Sequence, residues 1–136
     1  MTVTSLSRGV YLFSEFLPVS LAGFSGREFD AIKDLPSFLE TLGVRPGRFQ
    51  TVDKVNGNKV LLVDASSRSQ FEAADGLLTK EKELALVIRT ADCVPVFFLD
   101  PEVPAVGIGH GGWRGIREGI VFRILDRFRT QFFYNF

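Results

Sequence analysis

The segment from Leu84 to Phe128 constrains this chain most. It holds three short apolar runs, Leu84–Arg89, Val94–Leu99 and Ala105–Ile108, then the glycine-rich hexapeptide His110-Gly-Gly-Trp-Arg-Gly115. Apolar positions Ile116, Ile120, Phe122, Ile124, Leu125 and Phe128 follow at helical spacing. Runs of this length bounded by turn residues read as strands, and the later pattern reads as an amphipathic helix. The turns fall at Thr90-Ala-Asp-Cys93 and Asp100-Pro-Glu-Val-Pro104, and the hexapeptide falls at a strand-to-helix junction.

The upstream half carries weaker signals of the same mixed kind. Residues 10–24 hold apolar stretches broken by Ser, Pro and Gly, which predicts one or two strands. Phe29, Ile32, Leu35, Phe38, Leu39 and Leu42 recur at helical spacing, with Pro36 marking a kink or a second helix start and Gly43 a stop. Phe49–Val55 alternates as a strand, Asn56-Gly57 is a strong turn signal, and Lys59–Val63 reads as the returning strand of a β-hairpin. Asp64–Gln70 reads as a loop, followed by the small-residue cluster Ala73–Gly76. The fold class expected is α+β, a mixed α/β chain with a single domain spanning residues 1–136.

A chain of 136 residues is long enough to bury roughly two-thirds of its unfolded surface. With 46% apolar residues, fourteen of them Phe, a packed core is expected. Sixteen basic residues balance sixteen acidic ones, so no net field draws the protein to nucleic acid or an anionic membrane, and neither partner is expected. Arg114, Arg117, Arg123, Arg127 and Arg129 cluster locally, interleaved with Glu118 and Asp126 as on a solvated helix face. One cysteine cannot form an internal disulfide, no apolar run reaches membrane-spanning length, and the first residues lack a signal-peptide layout. A cytoplasmic protein is the expectation.

The candidates for chemistry gather near the hexapeptide. Cys93 starts one predicted strand and His110 ends another, so pairing of those strands would bring thiol and imidazole together. A buried structural cysteine and a core histidine fit the bare residue types as well. Gly111, Gly112 and Gly115 permit close backbone approach at a helix N-terminus, and Arg114 adds a donor fork, together a phosphate or anion site; a tight turn that happens to be glycine-rich is the alternative. Asp92 is a candidate to orient His110 or to cap its own turn, and Trp113 to floor a pocket or to anchor the core.

Thr90-Ala-Asp-Cys-Val-Pro95 and His110-Gly-Gly-Trp-Arg-Gly115, with their separation, resemble the signature of the laccase-domain purine nucleoside phosphorylase family, formerly described as multicopper polyphenol oxidases. Asn56-Gly-Asn-Lys-Val60, Ala74-Asp-Gly76 with Leu78-Thr79, and Leu84-Ala-Leu86 extend the likeness over roughly residues 50–125. The resemblance implies a layered helix/sheet/sheet/helix architecture with mixed sheets. It also implies a metal, usually zinc and historically copper, held by two histidines and one cysteine. Cys93 and His110 stand at two ligand positions. Asn56 stands where relatives have the other histidine, in Lys54-Val-Asn-Gly57, and an amide oxygen is the poorer ligand for a borderline-soft ion. Relatives continue past the last helix, whereas this chain stops at Gln131-Phe-Phe-Tyr-Asn-Phe136, an aromatic end suited to a shortened core or a homodimer interface.

The activity implied is phosphorolysis of adenosine, inosine or guanosine, with adenosine deamination alongside, so purine nucleosides and phosphate are the expected partners. Two other readings stay open: a metal-free hydrolase or amidase using Cys93 as nucleophile and His110 as base, and a non-catalytic binding module.

Overall fold

A computed structural model describes residues 2–7, 9–17 and 20–133, with backbone alone at Glu15 and Phe133. The chain divides into two compact units, with the boundary in sequence between Arg48 and Phe49.

In the first unit, β1 (Val3–Ser7), β2 (Val10–Phe13) and β3 (Gly23–Ser25) form an antiparallel sheet in that order. Gly9 takes a positive φ of 73° at the tight turn between β1 and β2, a conformation that costs glycine little. Tyr11 and Phe24, which pair across β2 and β3, stack with centroids 5.1 Å apart. The α-helix α1 spans Leu35–Thr41 with Pro36 in its first turn, where a missing N–H costs nothing. The helical pattern expected from Phe29 onward is therefore not helical before Leu35. There the Asp30 carboxylate accepts hydrogen bonds from the N–H groups of Ile32 and Lys33, a local turn that competes with the helix, and Ile32 is left exposed.

The second unit holds β4 (Phe49–Thr51), β5 (Val60–Leu62), β6 (Gly76–Thr79), β7 (Ala85–Val87), β8 (Val94–Asp100) and β9 (Ala105–Gly111). Four of them form a mixed sheet in the order β5-β6-β9-β8, with β5 and β6 parallel and the other pairs antiparallel. The remaining two, β4 and β7, pair in parallel. The hairpin predicted over residues 49–63 does not form, because each of its strands pairs with a later one and belongs to a different sheet.

Both faces of the four-stranded sheet are covered. Val60 and Leu78 pack on one side with Ile120, Ile124 and Phe128 of α3 (Ile120–Phe128), while Leu77 and Ile108 pack on the other with Val52, Val63 and Ala74. Leu77 and Leu78 are adjacent in β6 and wholly buried, as expected of a central strand whose side chains alternate between two covered faces. On the α3 side β9 carries no side chain at Gly107 and Gly109. A Cβ on Gly107 would meet the Phe128 ring and Leu78 at 2.8 Å, and one on Gly109 would meet Ile124 at 2.5 Å. The missing side chains let the helix settle against the strand.

The helix predicted after the hexapeptide is two helices. A short α2 (Trp113–Arg117) is followed by Gly119, whose φ of 82° redirects the chain into α3. The expected mixed α/β class is borne out, with three α-helices and mixed sheets among the described residues. None of these helices is long and apolar enough to cross a membrane. The aromatic end is described only to Phe133, with Phe132 buried against Phe128; Tyr134–Phe136 lie outside the described residues.

Candidate functional site

The site is built at the end of β9. The β8/β9 register sets Val94 opposite Gly111 and Pro95 opposite His110, so Cys93, one residue before β8, arrives beside the last residues of β9. This is the strand pairing expected for Cys93 and His110. Alternation along β9 turns Gly107 and Gly109 toward α3 and gives His110 the opposite side, which it shares with Ile108.

His110 is wholly buried, and so is its partner Asp75, which precedes β6. The β6/β9 ladder continues through the His110 N–H to the Asp75 carbonyl at 2.7 Å. Side by side on that ladder, His110 Nδ1 lies 2.9 Å from Asp75 Oδ1. A carboxylate oxygen accepts hydrogen bonds, and the His110 tautomer that donates to it carries its proton on Nδ1. The other ring nitrogen, Nε2, is buried with no hydrogen-bond partner among the described residues.

The Asp75 carboxylate also accepts the N–H groups of Val55, Asn56 and Gly57 at 3.2, 3.0 and 2.9 Å. The sequence predicts this turn to be the tip of a hairpin, but its donors are taken by a side chain about twenty residues away. Asn56 has a φ of 59°, a left-handed conformation that Asn tolerates better than most residues. Two contacts press the turn onto α2. The Gly57 carbonyl lies 2.8 Å from where a Cβ on Gly115 would stand, and Asn58 Nδ2 donates to the Glu118 carbonyl at 2.9 Å.

Three of the residues singled out in the sequence meet at Gly112. A Cβ built on Gly112 would lie 3.2 Å from His110 Cε1, 3.3 Å from Asn56 Oδ1 and 3.6 Å from Cys93 Sγ. The backbone there is ordinary extended chain, with φ −73° and ψ 156°. Glycine at this position therefore keeps open a space that imidazole, amide and thiol share.

The other candidates fall elsewhere. Gly111 serves the sheet, since a Cβ there would meet the Val94 carbonyl at 2.7 Å. Arg114 is exposed, with its guanidinium carbon 5.2 Å from the centroid of the Trp113 ring. Trp113 is 68% exposed, so it is no core anchor. Asp92 is exposed with a φ of 66°, a turn residue, and the carboxylate on His110 is that of Asp75. Asp75 escaped sequence reasoning as a partner. Its signal was an acid set within the small and apolar stretch Ala73-Ala-Asp-Gly-Leu-Leu78.

The donor set can be weighed against a metal ion. Among the described residues no three His, Cys, Asp or Glu side chains gather as a metal site. The set at Gly112 is one imidazole, one thiol and one amide. His110 has the features of a zinc ligand: one nitrogen fixed by a carboxylate, the other buried and unpartnered. Cys93 is a free, half-buried cysteine and supplies a second good donor. These residues fit a zinc ion with two strong ligands, and the exposed Asn56 amide is the weak third.

The profile of the family described as multi-copper polyphenol oxidoreductase laccase matches residues 30–135. A purine nucleoside phosphorylase of Mycobacterium tuberculosis (strain ATCC 25618 / H37Rv) is 35% identical over 85 residues, which cover 62% of this chain and 34% of that protein. The purine nucleoside phosphorylase YlmD of Geobacillus stearothermophilus is 31% identical over 110 residues, 75% of this chain and 40% of that protein. The crystal structure of YlmD from the same species superposes with a TM-score of 0.67 at 29% identity, covering 93% of this chain and 46% of that one. The crystal structure of a Bacillus licheniformis hypothetical protein, YfiH, has the same fold, with a TM-score of 0.80 at 23% identity over 95% of this chain and 59% of that one. The chain thus spans well under half the length of the curated relatives it matches. A profile match over most of its residues shows that the chain belongs to the multi-copper polyphenol oxidoreductase laccase family.

Proposed function

We propose that this chain carries a purine nucleoside phosphorylase-type site, in which phosphate displaces the base from adenosine, inosine or guanosine. Relatives bearing that name support the reading, and the convergence of His110, Cys93 and Asn56 on the space beside Gly112 carries it. Cys93 and His110 would hold zinc there with Asn56 as a weak third ligand. Bound zinc supplies a Lewis acid that polarises a substrate oxygen.

The chain's own residues do the rest. Asp75 holds the His110 ring with its Nε2 lone pair free, and Gly112 leaves room for the group bound in front of it. Trp113, next to Gly112, offers an exposed indole suited to stacking a purine. Arg114 beside it suits a phosphate oxygen pair. Deamination of adenosine is a second reaction within the same reading. The test is incubation of the purified protein with inosine and phosphate, with and without zinc. Phosphate-dependent release of hypoxanthine is expected, stimulated by zinc, and its absence under both conditions overturns the proposal.

The amide at Asn56 favours one second reading, a site that binds without turning over. In that case the purified protein carries well under one zinc per chain, and Asn56→His raises the zinc content without producing hypoxanthine. By contrast, no hydrogen bond joins Cys93 to His110 Nε2, so a metal-free thiol and imidazole pair has less support.

A further inference from the structure

One buried carboxylate lies behind two of the three side chains that converge on Gly112. Oδ1 of Asp75 takes the Asn56 N–H and His110 Nδ1, while Oδ2 takes the N–H groups of Val55 and Gly57. A carboxylate has about four acceptor positions, so four donors fill Asp75 completely. That satisfies a charge that would otherwise be costly on a side chain with no solvent contact. Three consecutive backbone N–H groups aimed at one anion form a nest, and the left-handed φ of Asn56 lets them converge.

We propose that Asp75 is the positioning residue of this site, fixing at once the tautomer of His110 and the place of the turn that carries Asn56. In a neutral imidazole the bond to Asp75 puts the proton on Nδ1 and leaves Nε2 as a bare lone pair, while Cε1 between them borders the shared space. Across the same carboxylate the Val55–Gly57 turn is held against the His110 end of β9. Imidazole and amide are thus set relative to each other through one group that touches neither substrate nor metal. The inference concerns the site of the proposed function, but neither its reaction nor its metal.

His110 is the only histidine in the chain, so a protein labelled with 15N-histidine reports a single ring. With the imidazole neutral, the wild-type ring is expected to be protonated at Nδ1 and bare at Nε2. The Val55, Asn56 and Gly57 amides should exchange slowly although Asn56 is exposed. Asp75→Asn keeps the shape but leaves one acceptor oxygen and adds a donor. It should move the ring proton to Nε2 and speed exchange of the three amides by about tenfold or more, the loss of one hydrogen bond's worth of protection. A merely structural Asp75 would change stability and leave the tautomer alone.

A wild-type ring protonated at Nε2, or 55–57 amides exchanging as freely as in an unfolded peptide, overturns the proposal even if Asp75→Asn cannot fold. A folded Asp75→Asn that keeps Nδ1–H overturns it too. Failure to release hypoxanthine would sink the phosphorylase reading without moving any of these signals.

Discussion

Gly115→Ala sets two known effects against each other. Alanine is favoured over glycine in a helix interior by up to about 1 kcal/mol, and Gly115 lies in α2. The new Cβ, however, would stand 2.8 Å from the Gly57 carbonyl oxygen, a backbone atom that cannot rotate away. Contacts of this kind relax near 3.5 Å, so the turn must retreat by roughly half an ångström or more. That turn is tied to a buried anion by three N–H bonds of 2.9 to 3.2 Å, and a bond to a charged group is worth about 1.5–3 kcal/mol. Overpacking alone costs about 1–3 kcal/mol. The clash should win, leaving a net loss of about 1–2 kcal/mol. With a urea slope near 2 kcal/mol/M, the unfolding midpoint falls by about 0.5–1 M at unchanged slope. Amide exchange should quicken at residues 55–57 before it does elsewhere. A midpoint at or above that of the wild type, with those amides still protected, would refute the reasoning.

Gly112→Ala adds a methyl among His110, Asn56 and Cys93 on a backbone that accepts alanine; the fold should change by about 1 kcal/mol or less, while zinc retained in equilibrium dialysis falls at least about tenfold. Ile124→Ala empties a wholly buried position between α3 and the sheet and should cost about 2–5 kcal/mol by urea unfolding. Asp64 accepts the Ser66 hydroxyl and N–H, and these bonds hold its carboxyl below the ordinary 3.8. Its stabilising contribution is therefore present above that value and lost as pH falls through the lower folded one. Wild type and Asp64→Asn should differ in urea midpoint near about pH 6 and converge near about pH 2.

The parts of the fold written in local sequence were legible. Strands β8 and β9 and the junction after them follow from uninterrupted apolar runs, a turn and a glycine cluster. What sequence could not give was non-local. Asn56-Gly57 is a good hairpin signal, but its N–H groups go to Asp75, and β4 and β5 each find a parallel partner further along the chain. The β6 strand went unread because it has four residues and both of its faces are buried, which removes the alternation that marks a strand. A single helical period ran through Gly119, where a positive φ divides it. At the site, Cys93 and His110 stood out through the motifs around them, and Asn56 through its place in a resembling segment. Asp75 carried no such mark, since an acid beside a glycine reads as a turn until a fold sets a histidine next to it.

The bare glycines beneath α3 have a consequence for how β9 can vary. Gly107 and Gly109 leave no space on the helix side for even one carbon, while Ile108 and His110 occupy the other side. At the two glycines the strand is closed to any side chain by the helix, whereas the constraints on the other side come from the core around Ile108 and from the Asp75 carboxylate on His110. A library randomised over residues 107–110 would collapse to glycine at the two odd positions, stay apolar at 108 and keep a partner for Asp75 at 110. A change of chemistry at position 110 therefore answers to Asp75 and not to the seat of the helix behind the strand.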